Sequence, residues 1–489
     1  DLHSFPTRRS SDLHIVADPR LNVVTNDARG ALLLTNRTYD AIVSQPSHPW
    51  TAGASHLYTR EFMQQARSHL NEGGVFVQWM NVSFVDEPLL RSLTATLIDV
   101  FGEARIYRPD PNTLVFLAST RPLEPERTVA AAGLPLRLSP THYSRVGINA
   151  VEDLVAALAA DASNARELAS GAPLLTDDDN RMATSSVYEL GRGLTAESAG
   201  RLLAPYDPLQ QPESWIFHEM RDTLDFPYIA RRIAGFTTID ASSPDRVLRM
   251  ARALDRTPDG AYTQAVALSV TGRGPQAERL IREALALHPD SMLLRYQFLR
   301  RSLGQIARDA APTDVVAEAA LLEGVPAALL QATRFAAQED WQAVARLDDE
   351  LAAAQWTDPW NFEALQMRAE WRARVANPEL RRRAGEEALA LIDRALIVSP
   401  SLAFFALRAR CAIAAERPDV LVESIWSFGH LTFLATAGLE PRQRAAARSS
   451  LEGLIRLLDG TDVTKRADPR RLKEVRDALQ TYLGRLGSA

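Results

Sequence analysis

Several features are scarce in this chain of 489 residues, and each scarcity excludes a class of protein. Its single cysteine, Cys411, excludes a disulfide framework and favours a reducing, cytoplasmic compartment. No window reaches about 18 uncharged apolar residues, the length of a membrane span. The most apolar stretch, 420–439, contains Glu423 and His430 and is predicted to be a soluble helix. A net charge of −6 with mixed signs gives no basic surface for nucleic acid.

The first thirteen residues, DLHSFPTRRSSDL, have no apolar periodicity. They are also the codon-by-codon translation of a common short-read sequencing adapter. We therefore expect residues 1–13 to be an adapter-derived artefact and exclude them from the fold. On this interpretation the protein begins at His14, and we expect the chain to be an N-terminally truncated fragment.

From residue 14 to about 120, short β-rich segments alternate with helical ones, which predicts an α/β fold. The predicted strands are 21–27, 39–45, 73–80, 104–109 and 113–119, and the predicted helices are 59–70 and 87–101. The turn PDPN joins the last two strands as a hairpin at one edge. A strand–helix series that ends in an antiparallel hairpin is typical of the C-terminal half of a Rossmann-like, methyltransferase-type sheet.

Residues 121–200 are a connecting segment with a predicted helix at 149–161, and residues 201–489 are all-α by pattern. Two helical segments repeat alanine, isoleucine, alanine and proline at the same offsets: Ala277, Ile281, Ala284 and Pro289, then Ala388, Ile392, Ala395 and Pro400. The offsets match a tetratricopeptide repeat helix, where small residues let paired helices approach. We predict a tetratricopeptide-like array with the four alanines buried; generic amphipathic helices are the alternative.

A carboxylate follows the first predicted strand, where open α/β sheets bind their ligands. Asp27 ends the strand at 21–27, and the small residue Ala28 comes next. A carboxylate there can accept hydrogen bonds from an adenine amino group, and the small neighbour leaves room for the ring. A helix cap is the alternative role for Asp27.

The second predicted strand ends in YDAIVSQPSHPW, with Gln45 and His48 where a catalytic carboxylate is expected. The longer segment SQPSHPWTAGASHLYTREF, 44–62, resembles the spermidine synthase family, whose members carry Asp-Ser-Ser-Asp-Pro at this strand end. It is most similar to a bacterial branch that fuses a membrane-spanning transporter-like region, a spermidine-synthase-like domain and helical repeats. NEGGVFVQW at 71–79 and GAPLLTDDDNR at 171–181 extend the resemblance over roughly residues 14–185.

The resemblance implies transfer of an aminopropyl group from decarboxylated S-adenosylmethionine to a polyamine, without a metal. It places Asp27 and Ala28 at the adenine side of the co-substrate. Gln45 takes the position of the general base, and His48 that of the loop aspartate that binds the amine. Gln78 lines the same strand-end crevice. It also implies a longer parent protein in the bacterial inner membrane, of which this chain is a soluble fragment.

The chain departs from the family where charge is needed. An attacking amine must lose its proton, and Gln45 can neither accept a proton nor attract a cation. His48 could act as the base, although an exposed or hydrogen-bonded role is the alternative. The family's glycine-rich cofactor turn has no counterpart. We therefore expect an inactive or altered aminopropyltransferase-like domain; the alternative is a non-catalytic module whose repeats bind a protein or peptide.

Two structural expectations follow from the resemblance. In a methyltransferase-type strand order, strand 39–45 pairs with 73–80. Strand 113–119 lies next to 73–80, and 104–109 lies beyond it. Strand 39–45 is then an exposed apolar edge, or it pairs with 21–27, and an exposed edge favours aggregation. The acidic stretch TDDDN at 176–180 lacks the spaced ligands of a calcium loop, so we expect a turn or helix cap there.

Overall fold

The computed structural model describes residues 21–46, 48–51, 53–133, 143–144, 146–185, 187–188, 190–300, 302–308, 310–436 and 441–487. The predicted adapter segment, residues 1–13, lies outside them. A mixed five-stranded sheet with its helices comes first and a largely helical part follows, which is the α/β-then-all-α order predicted from the sequence. Within the described residues, no helix has the length and apolarity needed to cross a bilayer.

The α/β part consists of α1 (Ala28–Leu33), β1 (Tyr39–Ser44), α2 (Arg60–Ser68), β2 (Leu70–Asn81), α3 (Glu87–Phe101), β3 (Glu103–Asp110) and β4 (Thr113–Ser119). Local sequence explains the ends of α3. Asp86 caps its start by accepting a hydrogen bond from the backbone N–H of Leu89 at 3.0 Å. Gly102 ends it at φ +87°, a conformation that favours glycine.

The sheet has the order β1-β2-β4-β3-β5, with β1 and β2 parallel and the other pairs antiparallel. This confirms the predicted pairing of the four strands from 39–45 to 113–119 and the hairpin between the last two. The hairpin is not at the edge, however, because β5 (Leu158–Ala160) pairs with β3. The sequence pattern indicated helix for 149–161, since Leu-Ala-Ala carries no β-branched residue.

The predicted strand at 21–27 is wrong. These residues form no strand, and Val23 and Val24 are each 64% exposed. A strand needs a neighbouring backbone to pair with, and the described residues supply none for this segment. Consequently β1 is an edge strand, one of the two expected arrangements, and its Val43 is 66% exposed.

Helices α2 and α3 cover one face of the sheet and form an apolar core with it. Phe62 and Met63 of α2 and Leu93 of α3 pack with Phe76 and Phe116 of the sheet. The edge of the sheet formed by β3 and β5 is covered by the helical part. Tyr107 of β3 and Leu158 beside it share a second core with the helical part, including Ile229 and Tyr262.

The connecting segment contains α4 (Pro125–Ala132), α5 (Val151–Ala157), β5, α6 (Ala162–Ala169), α7 (Arg181–Thr184) and α8 (Ala196–Leu203). The helical part continues with α9 (Trp215–Glu219), α10 (Phe226–Ala234), α11 (Ser243–Ala253), α12 (Pro258–Val270), α13 (Gly274–Leu287), α14 (Met292–Arg300), α15 (Leu303–Ala307), α16 (Thr313–Ala319), α17 (Gly324–Ala337), α18 (Trp341–Arg346), α19 (Asp348–Ala352), α20 (Asn361–Arg372), α21 (Pro378–Val398), α22 (Leu402–Ala414), α23 (Pro418–Leu434), α24 (Pro441–Gly460) and α25 (Pro469–Gly487).

The four repeat alanines lie in helices and are buried, as predicted. Ala277 and Ala284 are 2% and 8% exposed, and Ala388 and Ala395 are fully buried. Helices α21 and α22 pack so closely that a Cβ on Gly385 would lie 2.5 Å from the backbone nitrogen of Ala415. The identity of the array as tetratricopeptide repeats stays a prediction.

Candidate functional site

The carboxyl ends of β1 and β2 meet at a pair of buried polar residues. Ser44 and Gln78 are register partners in the parallel ladder, and Gln78 is fully buried. The Gln78 side-chain amide donates hydrogen bonds to the backbone carbonyls of Ser44 at 3.3 Å and Trp79 at 3.0 Å. Within the described part of the chain, Gln78 Oε1 and Ser44 Oγ have no partner. Buried unpaired polar atoms are costly, so these two mark a place where a ligand can contribute hydrogen bonds.

The loop after β1 brings the two predicted catalytic residues to the surface. Gln45 and His48 are both exposed. The His48 ring lies 4.8 Å from Trp50 and 5.4 Å from Phe84, measured between ring centroids. Trp50 in turn stacks on Tyr188, with centroids 4.3 Å apart and an interplanar angle of 14°. The loop is therefore built around an aromatic cluster and presents an amide and an imidazole at its surface.

The structure places Asp27 at a helix cap, the alternative role that its sequence left open. Its two carboxylate oxygens accept hydrogen bonds from the backbone N–H groups of Arg29 at 3.3 Å and Gly30 at 2.9 Å. Ala28 is the first residue of α1, and both Asp27 and Ala28 are exposed. Residues 21–26 form no strand, so the predicted strand-end position is wrong, although Asp27 stays exposed.

Asp177 is a charged residue that the motif analysis did not single out. It accepts two hydrogen bonds from the Arg29 guanidinium, at 2.9 and 2.6 Å, and one from the Thr59 hydroxyl at 2.8 Å. His56 Nδ1 lies 3.4 Å from the same carboxylate. The bonds from Arg29 and Thr59 hold the pKa of Asp177 well below its usual range. The resemblance of 171–181 to the family was the one signal that could have pointed to it.

The rest of the acidic stretch behaves as expected of a turn. Asn180 caps α7 by accepting a hydrogen bond from the backbone N–H of Ala183 at 3.2 Å. Asp179 pairs with Arg181 at 2.8 Å. In the described residues, no group of three or more His, Cys, Asp or Glu side chains is arranged to hold a metal ion.

The polar groups at this end of the sheet suit an organic co-substrate in part. An exposed carboxylate at Asp27 can accept from an adenine amino group, and the free oxygens of Gln78 and Ser44 can accept from hydroxyl or ammonium donors. Tyr58 is fully buried in the apolar core that α2 and α3 form with the sheet, and burial raises the pKa of its phenol well above the ordinary value.

Comparison with known proteins finds similarity over part of the chain. Residues 4–108 match the model of the spermine/spermidine synthase domain. The chain is 27% identical over 198 residues to a probable polyamine aminopropyl transferase of Bifidobacterium longum, covering 40% of this chain and 43% of that protein. It is 30% identical over 103 residues to polyamine aminopropyltransferase 1 of Pseudomonas aeruginosa, covering 21% and 36%.

A polyamine aminopropyltransferase of a Synechococcus strain is 47% identical over 62 residues, covering 12% of this chain and 20% of that protein. The chain thus spans less than half the length of these curated relatives. The match to the family model begins inside residues 1–13, whose adapter origin stays a prediction. For the α/β part, the comparisons support the resemblance to the spermidine synthase family.

Proposed function

We propose that the α/β part is an aminopropyltransferase-type domain whose amine-binding side is altered, so that transfer to a polyamine is slow or absent. The single observation that carries the proposal is the position of Gln45. It lies exposed directly beyond β1, next to the register pair Ser44 and Gln78, where the family resemblance places the general base. The relatives named as polyamine aminopropyltransferases support the reaction type.

The reaction explains why this position matters. A neutral amine attacks the carbon next to the sulfonium of decarboxylated S-adenosylmethionine, a C–N bond forms, the C–S bond breaks, and a neutral thioether leaves. The attacking nitrogen must give up a proton, and a carboxylate both binds the cationic amine and takes that proton. Gln45 can donate or accept a hydrogen bond but cannot take the proton.

Within the described residues, His48 is the candidate base on the same loop as Gln45. Its imidazole is exposed, and an imidazole is a side chain that can serve as a general base. Its ring, however, is packed against Trp50 and Phe84. These aromatic surroundings favour contact with the apolar part of a ligand over transfer of a proton. We therefore assign His48 to the amine-binding side and leave the general-base position degenerate.

The test is transfer of labelled aminopropyl groups to putrescine by the protein and by Gln45→Asp. Without general acid–base help the rate falls by about 10²–10⁴-fold, so the protein should run near background and Gln45→Asp should recover part of that factor. Gln64→Asp, an exposed change on α2, is the matched control and should change nothing. Robust turnover with Gln45 unchanged would show that another group, with His48 first, supplies the base.

A second candidate function rests on the helical part. Helices α22, α23 and α24 enclose a largely apolar cleft of about 410 Å³, lined by Phe405, Ile413, Phe428 and Leu454 among others. Grooves between stacked helices are typical sites for peptide segments. If Gln45→Asp brings no transfer activity, the protein-binding module becomes the better interpretation, and a peptide partner of this cleft becomes its test.

A further inference from the structure

Helix α1, which is capped by Asp27, has almost nothing apolar to hold it in place. It is six residues long, and none of its residues is buried. Leu32 is only partly buried against the core. Helices this short are not stable alone in water, because one or two turns do not repay nucleation. The position of α1 therefore depends on its polar contacts.

Two such contacts join α1 to its surroundings. The Gln65 side-chain amide on α2 donates a hydrogen bond to the backbone carbonyl of Arg29 at 2.8 Å. The Arg29 guanidinium donates two parallel hydrogen bonds to Asp177, and such bidentate pairs fix geometry as well as charge. The Arg29 and Asp177 side chains are 25% and 33% exposed, so the pair is partly shielded from water.

Asp177 is itself firmly anchored. Its backbone N–H donates to the Glu61 carboxylate at 2.8 Å, and its carboxylate accepts from the Thr59 hydroxyl. Two residues earlier, the Leu175 N–H donates to the Thr96 hydroxyl at 2.9 Å. The segment around Asp177 is thus hydrogen-bonded to the start of α2 and to α3, and Asp177 can hold α1 through Arg29.

The same carboxylate reaches the turn that follows the candidate catalytic loop, since His56 lies 3.4 Å from it. One residue therefore contacts both the helix that carries Asp27 and the turn that leads away from Gln45 and His48. It lies beyond residue 108, where the match to the synthase model ends.

We propose that Asp177 is a positioning residue that holds the Asp27 helix against α2 beside the loop of Gln45 and His48. What the helix presents to a ligand rests on the proposed function. The contact between Asp177 and Arg29 that holds this helix, here called the clamp, does not depend on the proposed function. It can be measured without any ligand. Asp177 touches no reacting atom in this account and acts through Arg29.

The experiment measures amide hydrogen exchange of residues 28–33 in the full chain and in Asp177→Asn, Arg29→Gln and the double variant. Loss of a bidentate charged pair should speed exchange there by about tenfold. Each single change should have the same effect, and the double variant should add nothing. Asp99→Asn breaks the 2.6 Å ion pair with Arg60 on the neighbouring helix and is the control that should leave α1 unchanged.

A second readout separates positioning from mere stability. Binding of 5′-methylthioadenosine should weaken by about tenfold in both Asp177→Asn and Arg29→Gln. It should weaken no further when either change is added to Asp27→Asn. If the unaltered chain does not bind this nucleoside, the proposed function fails while hydrogen exchange still decides the clamp. Unchanged exchange of α1 in both single variants would overturn the clamp.

Discussion

The two edges of the sheet lie in contrasting surroundings. On one side β3 and β5 are covered by the helical part, and Leu158 and Ala160 are completely buried. On the other side β1 has no neighbour among the described residues, and Val43 and Leu34 are 66% and 84% exposed. The candidate site lies at this open side. The helical part, in contrast, is packed so closely that single alanines are fully buried between its helices.

The contrast separates a part of the molecule that is held by close packing from a part in which a ligand site can be sought. The fully buried alanines at 388 and 395 indicate that the helical part is held by close helix contacts. The unpaired buried oxygens of Ser44 and Gln78, and the helix α1 with no buried residue, mark a region that packing does not fully satisfy.

Overpacking the helical part should be the most damaging change. Ala388 is fully buried in α21, so Ala388→Phe should lower the free energy of unfolding by about 3 kcal/mol, near the upper end for overpacked cores. Ala390 lies on the same helix and is exposed, which makes Ala390→Phe the matched control. Urea unfolding of both variants is the measurement. Equal stability of the two would mean that α21 does not pack as the repeat array requires.

A partly buried carboxyl should make the start of the helical part sensitive to pH. Burial raises the pKa of Asp225 to about 6, and the charge of Glu152 adds to the shift. Because the folded pKa lies above the unfolded one, this contribution to stability is present below about pH 4 and is lost as the pH rises through about 6.

The corresponding variant is Asp225→Asn, which can keep the cap on the Tyr228 N–H without the buried charge. It should raise the free energy of unfolding at pH 8 by about 1–3 kcal/mol and change little at pH 4. Asp222→Asn, at an exposed position nearby, serves as control. A gain that is the same at both pH values would contradict the buried-charge explanation.

The smallest effect on stability is expected at the open edge. Val43→Lys places a charge on β1, which should slow aggregation while shifting the free energy of unfolding by less than about 0.5 kcal/mol. Val270→Lys, at an exposed valine 41% accessible at the end of α12, is the control. Light scattering over time at fixed concentration compares the two. If Val270→Lys slows aggregation and Val43→Lys does not, the surface that drives aggregation is not the edge of β1.

Sequence patterns predicted the parts whose partners are near in the chain or repeated in it. β1 and the β3–β4 hairpin were found within about two residues, and the alanine offsets predicted burial because equal spacing on a helix means equal environment. The strand at 21–27 failed because pairing is not local. β5 was missed because its residues favour helix and only contact with β3 makes it a strand.

The candidate site divides in the same way. Ser44 and Gln78 are adjacent because β1 and β2 are parallel and neighbouring strands. Their adjacency can therefore be predicted from the sequence once the two strands are predicted to pair. Asp177 and Tyr188 reach the site from more than a hundred residues downstream. The fold brings their side chains into contact with Arg29 and Trp50, and the local sequence does not show these contacts.

The central claim is that the amine side of this site has lost its charge, and binding of putrescine tests it most directly. Calorimetric titration at neutral pH should detect no binding to the protein and measurable binding to the Gln45→Asp/His48→Asp double variant. The reason is that two carboxylates would then face a dication where an amide and an imidazole now stand. Equal affinity of the protein and the double variant for putrescine would contradict the account.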